Sequence, residues 1–281
     1  MTSIDTNQPL VSLQPLRGGA GEASVELVEL GGQQFVLKRS TPARTAGERR
    51  FHMALAEAGL PHLALATHPS LGPGDLLLEY VDGPTLGASA RTPEPCGRWG
   101  AAVAGMHGIR TDGLLRVDSA GEIVPGAWPQ FVERLIERGL TKARASDLPA
   151  ALLDVAAARL GELRGFTPAT FVLVHGDLHA NNVLLRGDEA VLFDRASRYW
   201  SCPAVLDVAL IHSESFPIRY GVQRPNGEAR LAAFLAAYGD LPDAEWLDHF
   251  ALAHSLMRYP SPFVPELRQI IDAVVERLCA A

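Results

Sequence analysis

Asp177, Asn182 and Asp194 are the residues of this 281-residue sequence whose types and spacing lend themselves most directly to chemistry. Asp177 and Asn182 lie five positions apart in "HGDLHANN", between the apolar runs "FVLV" and "VLL". Asp194 ends a further apolar run, "AVLF", twelve positions after Asn182. A carboxylate at a strand end can sit beside a hydroxyl, orient it for in-line attack and take its proton. An Asn and a second Asp supply hard oxygen donors, which suit magnesium. Together they have the parts for phosphoryl transfer to an alcohol, a reaction run by positioning and charge stabilisation.

A competing reading takes His175, Asp177 and His179 as an H-x-D-x-H metal cluster. It resembles the Asp-x-His start of metallophosphoesterases. That chemistry needs further ligand motifs downstream, and the next His is His212, inside an apolar helical pattern. His175 therefore reads as a structural hydrogen-bonding residue. The D-x-x-x-x-N spacing, followed by an Asp after a short strand, is the arrangement of protein kinases. The other parts appear in the same order. Lys38 ends the strand-like run "QQFVLKR", and Glu48 follows on a helical pattern. A Lys held by a helix Glu can reach the α- and β-phosphates of a nucleotide. Of 25 basic residues only Lys38 and Lys142 are Lys, so a Lys at this place carries weight. Gly18, Gly19 and Gly21 in "LRGGAGEAS" let backbone N–H groups approach phosphates. No G-x-x-x-x-G-K-[ST] is present, which excludes a P-loop. "LLLEYVDGPTL" takes the hinge position, where adenine would bond the Glu79 carbonyl and the Val81 N–H.

The elements that must position these residues follow from periodicity. "VSLQPL", "SVELVEL" and "QQFVLKR" read as strands, with Gly31-Gly32 as a hairpin turn. "TPARTAGERRFHMALAEAGL" reads as a helix with Phe51, Leu55 and Ala58 on one face, stopped by Gly59. "DLLLEYV" is a buried strand closed by Asp82-Gly83-Pro84. Beyond Pro84, helices are expected near 94–108, 128–140, 149–164, 228–238, 243–258 and 264–279. "TFVLV", "NVLL" and "AVLF" are short strands around the central motif. The expected fold is α+β and bilobal, protein-kinase-like. A small β-rich nucleotide-binding lobe covers 1–82, and a larger, mainly helical catalytic and acceptor-binding lobe covers 83–281.

Composition narrows the class. The hydrophobic share of 47% is ample for a large core. A net charge of −7 argues against a nucleic-acid binder. Three scattered Cys read as reduced thiols in a cytoplasmic protein. Neither a signal peptide nor an apolar run of membrane-spanning length is apparent.

On these residues the sequence resembles the aminoglycoside phosphotransferase and choline kinase-like family. "LVHGDLHANNVLL" is similar to its catalytic loop, "LLLEYVDGPTL" to its hinge, "WGAAVAGMHGI" to its Leu-His-Gly helix end and "LDVAL" to its Asp-Leu-Ala segment. The likeness runs from Leu13 to Ile211. It implies Asp177 as base, Asn182 and Asp194 on Mg2+, and Lys38 on the phosphates of ATP, with GTP as the alternative nucleotide. Asp207 of "LDVAL" reads as an anchor for the loop. "LFDRAS" departs by placing Arg195 where the family often has an aromatic, and that Arg is expected to meet a phosphate or an acidic neighbour. The resemblance implies that the acceptor is a small hydroxylated compound. The leading class is an amine-rich antibiotic, an aminoglycoside or cyclic peptide. The alternative is a metabolic kinase for choline, a fructosamine or an amino alcohol. A third class, a catalytically dead nucleotide-binding module, is disfavoured because Lys38, Asp177, Asn182 and Asp194 stand together. A polycation would use carboxylates among Glu214, Asp240, Asp243, Glu245 and Asp248. Choline would use an aromatic cage from Trp200, Trp246, Phe250 and Tyr259. The protein is expected to act as a monomer or homodimer.

Overall fold

A computed structural model of the chain describes residues 8–16, 24–89, 92–195, 198–261 and 264–281. The N-terminal part carries β1 (Val11–Pro15), β2 (Ser24–Leu30), β3 (Gln33–Arg39), α1 (Pro42–Glu57), β4 (Leu65–Ala66) and β5 (Asp75–Glu79). Its strands form one antiparallel sheet in the order β1-β2-β3-β5-β4. The β2–β3 turn is Gly31-Gly32, both at positive φ, as a tight hairpin requires. The register sets Lys38 opposite Val25 and Leu76, in the middle of the sheet.

Helix α1 starts where the chain provides a cap. Thr41 Oγ1 accepts from the Arg44 N–H, and Pro42 occupies the first turn. Its inward face is Thr45, Gly47, Glu48, Phe51, His52 and Leu55. Ala58, expected on that face, is instead the exposed cap residue, because Gly59 at φ 69° ends the helix there. Phe51 is fully buried and meets the ring of His175 edge to face at 5.6 Å. Burial of such a side chain contributes about 1.5–3 kcal/mol. The contact fixes the Glu48-bearing helix against the central loop.

The larger part begins with α2 (Leu86–Ser89), α3 (Glu94–His107), β6 (Arg110–Thr111), β7 (Leu115–Val117), β8 (Ile123–Pro125), α4 (Trp128–Arg144) and α5 (Ala150–Gly161). It continues with β9 (Phe171–Leu173), β10 (Val183–Arg186), β11 (Glu189–Leu192), β12 (Tyr199–Cys202), α6 (Val205–Glu214), α7 (Gly227–Tyr238), α8 (Leu247–Arg258) and α9 (Leu267–Ala280). The bilobal α+β fold is as expected, with one addition. A second five-stranded sheet, β6-β9-β12-β7-β8, lies inside the helical part. Four of its strands are not legible in the sequence. They have two to four residues each, too few to display a period. Among the described residues no helix is long and apolar enough to cross a membrane.

Candidate active site

Lys38, Glu48 and Asp194 come together from three separate elements. The Lys38 ammonium bonds Glu48 Oε2 at 2.6 Å and makes a second, shorter ion pair with Asp194. Burial by itself would lower the Lys38 pKa, but Glu48 and Asp194 outweigh it, so the ammonium stays above its ordinary value. Burial likewise pushes the Asp194 carboxyl up, and Lys38 overrides it to hold the group below its ordinary value. Asp194 sits at φ 58°, a left-handed conformation uncommon for a residue with a Cβ. Backbone strain of this kind concentrates at functional sites.

The asymmetry has an expected consequence. Glu48→Ala leaves Lys38 its second carboxylate, whereas Lys38→Ala leaves two acids unpaired. Nucleotide kcat/KM is expected to fall more in Lys38→Ala. The two losses should overlap by about 0.5–3 kcal/mol in the double variant. Strictly additive losses in steady-state kinetics would deny the pairing.

Asp177 and Asn182 share one loop after β9, and that loop is anchored from below. Asp207, on α6, accepts from the His175 N–H at 2.7 Å and the Gly176 N–H at 2.8 Å. Gly176 lies at φ 76°, which a glycine adopts without strain. His107, ending α3, reaches Asp207 Oδ2 through Nε2 at 3.4 Å and Tyr238 Oη through Nδ1 at 2.9 Å. Asp207 thus serves the loop rather than facing a reactant, as expected. His175 also takes its expected structural place. Its Nδ1 accepts from the Asp177 N–H at 3.3 Å, so its Nε2 donates to the Phe193 carbonyl at 2.7 Å. Burial lowers its pKa, which favours this neutral form.

Asn182 Nδ2 donates to the Asp177 carbonyl at 2.9 Å and lies 3.4 Å from Asp177 Oδ2. The amide is oriented by those acceptors, so its oxygen is the end left for a cation. The Phe193 N–H bonds the Asn182 carbonyl at 3.1 Å, which carries the chain from Asn182 toward Asp194.

The hinge is pinned to the β10–β11 hairpin. Arg186 pairs with Glu79 at 2.9 Å, and the Leu185 N–H bonds the Pro84 carbonyl. A Cβ on Gly83 would lie 2.3 Å from the Leu185 carbonyl oxygen, so this close approach needs glycine. The Val81 carbonyl is taken by the Gly83 N–H. Leu63, Leu76, Leu78 and Val191 form an apolar cluster joined by Val36, Val81, Leu184 and Phe193. The cluster draws on both sides of the hinge, and its aliphatic side chains suit the faces of a planar ring. Gly18, Gly19 and Gly21 lie outside the described residues.

The acceptor-side expectations need correction. Asp248 is held by Arg219 at 3.0 Å and by Arg277 at 3.0 Å, and also accepts from Tyr220. It is not a free carboxylate for a substrate amine. Asp243 accepts from the Ala169 N–H. The aromatic candidates are engaged elsewhere: Trp200 lies under Arg195, Trp246 against Phe166, Phe250 in the core, and Tyr259 bonds Asp147. Arg195 turns inward to the carbonyls of Val174 and Tyr199 and the faces of Trp200 and Phe51. Its described contacts are backbone oxygens and rings, with the charges of Asp207 and Glu48 near enough to act on it, and burial lowers it to about 10. Glu214 stands beside the loop, paired with Arg258 at 2.7 Å, and burial raises its carboxyl to about 7. Arg258 also contacts Asp177. No motif pointed to Arg258, which is one of 23 Arg in the chain.

A small β-sheet lobe that carries a Lys–Glu pair, set on a larger helical lobe with an Asp-to-Asn loop, defines a kinase fold. The chain belongs to the phosphotransferase enzyme family, whose profile matches residues 12–250. Its fold is similar to a thermostable mutant of aminoglycoside phosphotransferase APH(4)-Ia in ternary complex with AMP-PNP and hygromycin B. That match has a TM-score of 0.70 at 18% identity, covering 97% of this chain and 96% of that one. It is also similar to a candidate fructosamine-3-kinase from Thermobifida fusca YX-ER1, at TM-score 0.65 and 19% identity, covering 98% and 96%. A third is amicoumacin kinase hAmiN in complex with AMP-PNP, Ca2+ and Ami, at TM-score 0.64 and 14% identity, covering 95% and 90%. No curated protein matches the sequence significantly.

Proposed function

We propose that this phosphotransferase uses ATP and Mg2+ to phosphorylate a hydroxyl of a small, amine-rich antibiotic, an aminoglycoside or cyclic peptide, and so confers resistance. The observation that carries the phosphotransfer reading is the joining of Lys38, Glu48 and Asp194 beside the Asp177–Asn182 pair. The nucleotide would lie between residues 1–82 and the start of 83–281. Adenine would meet the apolar cluster and the Val81 N–H, and Lys38 the phosphates. The donor set fits a hard divalent cation, since the Asn182 amide oxygen and the Asp194 carboxylate are oxygen ligands. Bound there, Mg2+ would neutralise charge developing on the phosphates.

The chain's own residues do the rest. Asp177 orients the acceptor hydroxyl and takes its proton as the oxygen attacks the γ-phosphorus. The bond from that phosphorus to the β-bridging oxygen breaks, and ADP leaves. Asn182 holds Asp177 through its amide, and Asp207 holds the turn before it. ADP release across a panel of aminoglycosides, cyclic peptides and sugar amines is the test. Release with no member of the panel would remove the antibiotic reading.

A metabolic kinase is the second reading, because Asp248 and Glu214 are already paired with arginines. Salt separates the two. A polycation held by carboxylates such as Asp240 or Glu245 should show an acceptor KM that rises with salt more steeply than the nucleotide KM. An acceptor KM flat from ~50 to ~500 mM salt, where the Debye length falls from above ~10 Å to a few Å, would favour a neutral or singly charged metabolite.

A further inference from the structure

Arg258, the last residue of α8, reaches both Asp177 and Glu214, the last residue of α6. Arg258 donates from Nη2 to Asp177 Oδ1 at 2.5 Å, and its Nη1 lies 2.7 Å from Glu214 Oε1, an ion pair without hydrogen-bond alignment. The second oxygen of Asp177, Oδ2, instead faces Asn182 Nδ2 at 3.4 Å and His179 Nε2 at 3.8 Å. The Glu214 side chain is 7% exposed, which leaves Arg258 as its charge partner in an otherwise closed position.

We propose that Arg258 is a positioning residue for the phosphoryl transfer: braced on Glu214, it holds Oδ1 of Asp177 and leaves Oδ2 to receive the acceptor hydroxyl. This rests on the reading of Asp177 as the base. A carboxylate with one free torsion can present either oxygen, and a guanidinium that donates to one of them while ion-paired to a second acid restricts that freedom. A lysine offers a point charge on a flexible stem and cannot fix both partners in one geometry. A reacting group misplaced by about 1 Å costs on the order of 10²-fold in rate.

The experiment measures kcat, acceptor KM and Mg·ADP affinity, with the best acceptor of the panel above. Arg258→Ala is expected to lower kcat about 10²-fold, the scale of a misplaced base, with Mg·ADP affinity unchanged. Arg258→Lys should recover part of the loss. Because Arg258→Ala strands the buried Glu214, the double variant Arg258→Ala/Glu214→Gln is made as well. It should fold with a wild-type melting profile and remain slow. In an Asp177→Asn background, Arg258→Ala should cost nothing further, since its effect runs through that carboxylate. Wild-type kcat in the folded double variant, or an undiminished additional loss in the Asp177→Asn background, would overturn the proposal. If Asp177→Asn itself turns over normally, the base assignment falls with it. If only the Arg258 variants do, the base assignment stands and this proposal alone fails.

Discussion

Asp194→Ala is expected to lose activity by on the order of 10³-fold or more. The loss of even one pre-organised stabilising group costs about 10²–10³-fold, and Asp194 carries two duties. It is the proposed cation donor, and it is one of two acids that hold the Lys38 ammonium. The fold should persist, because Lys38 keeps Glu48 as its partner. Excess chelator should silence the wild type in the same way, with rescue by magnesium or manganese. Full turnover by the variant, or by the wild type in chelator, would contradict the assignment of the Asp194 carboxylate to a cation.

Asp177→Asn is expected to cut turnover at least ~10²-fold, the scale of a lost general base, while nucleotide binding stays near wild type. The separation follows from geometry. Lys38, Glu48 and Asp194 do not depend on the Asp177 side chain, and the loop itself hangs from Asp207 through backbone N–H groups. An amide is nearly isosteric with the carboxylate but cannot take a proton. Nucleotide affinity that fell in step with kcat would mean that Asp177 shapes the nucleotide site instead.

The residues legible in the sequence are those whose partners lie at a set spacing or in a set order. Asp177 and Asn182 bond each other across five positions, and Lys38 and Glu48 across ten. The Gly31-Gly32 turn and the Gly59 stop announce themselves because only glycine takes those φ values cheaply. Arg258 reaches Asp177 across 81 positions, and nothing about one more Arg in an Arg-rich chain marks it. Asp248 looks available in the sequence for the same reason: Arg219 and Arg277, each 29 positions away, neutralise it only once α8 and α9 are packed. Arg195 sits next to a proposed metal donor, yet burial against Trp200 and two carbonyls decides its direction. The second sheet is hidden because its strands are short and most of them pair across long stretches of chain, as Ser201 does with Leu173 and Leu115.

The central claim is direct transfer of the γ-phosphoryl group to an acceptor hydroxyl oriented by Asp177. Single-turnover reaction with ATP carrying 18O in its γ-phosphoryl oxygens tests it most directly, read by mass spectrometry of the acceptor. The wild type is expected to yield an acceptor phosphate ester that carries the label and keeps the acceptor's own oxygen as the bridge, and Asp177→Asn to yield it at least ~10²-fold more slowly. An unmodified acceptor with all the label in free phosphate, or equal rates for the two proteins, would contradict it.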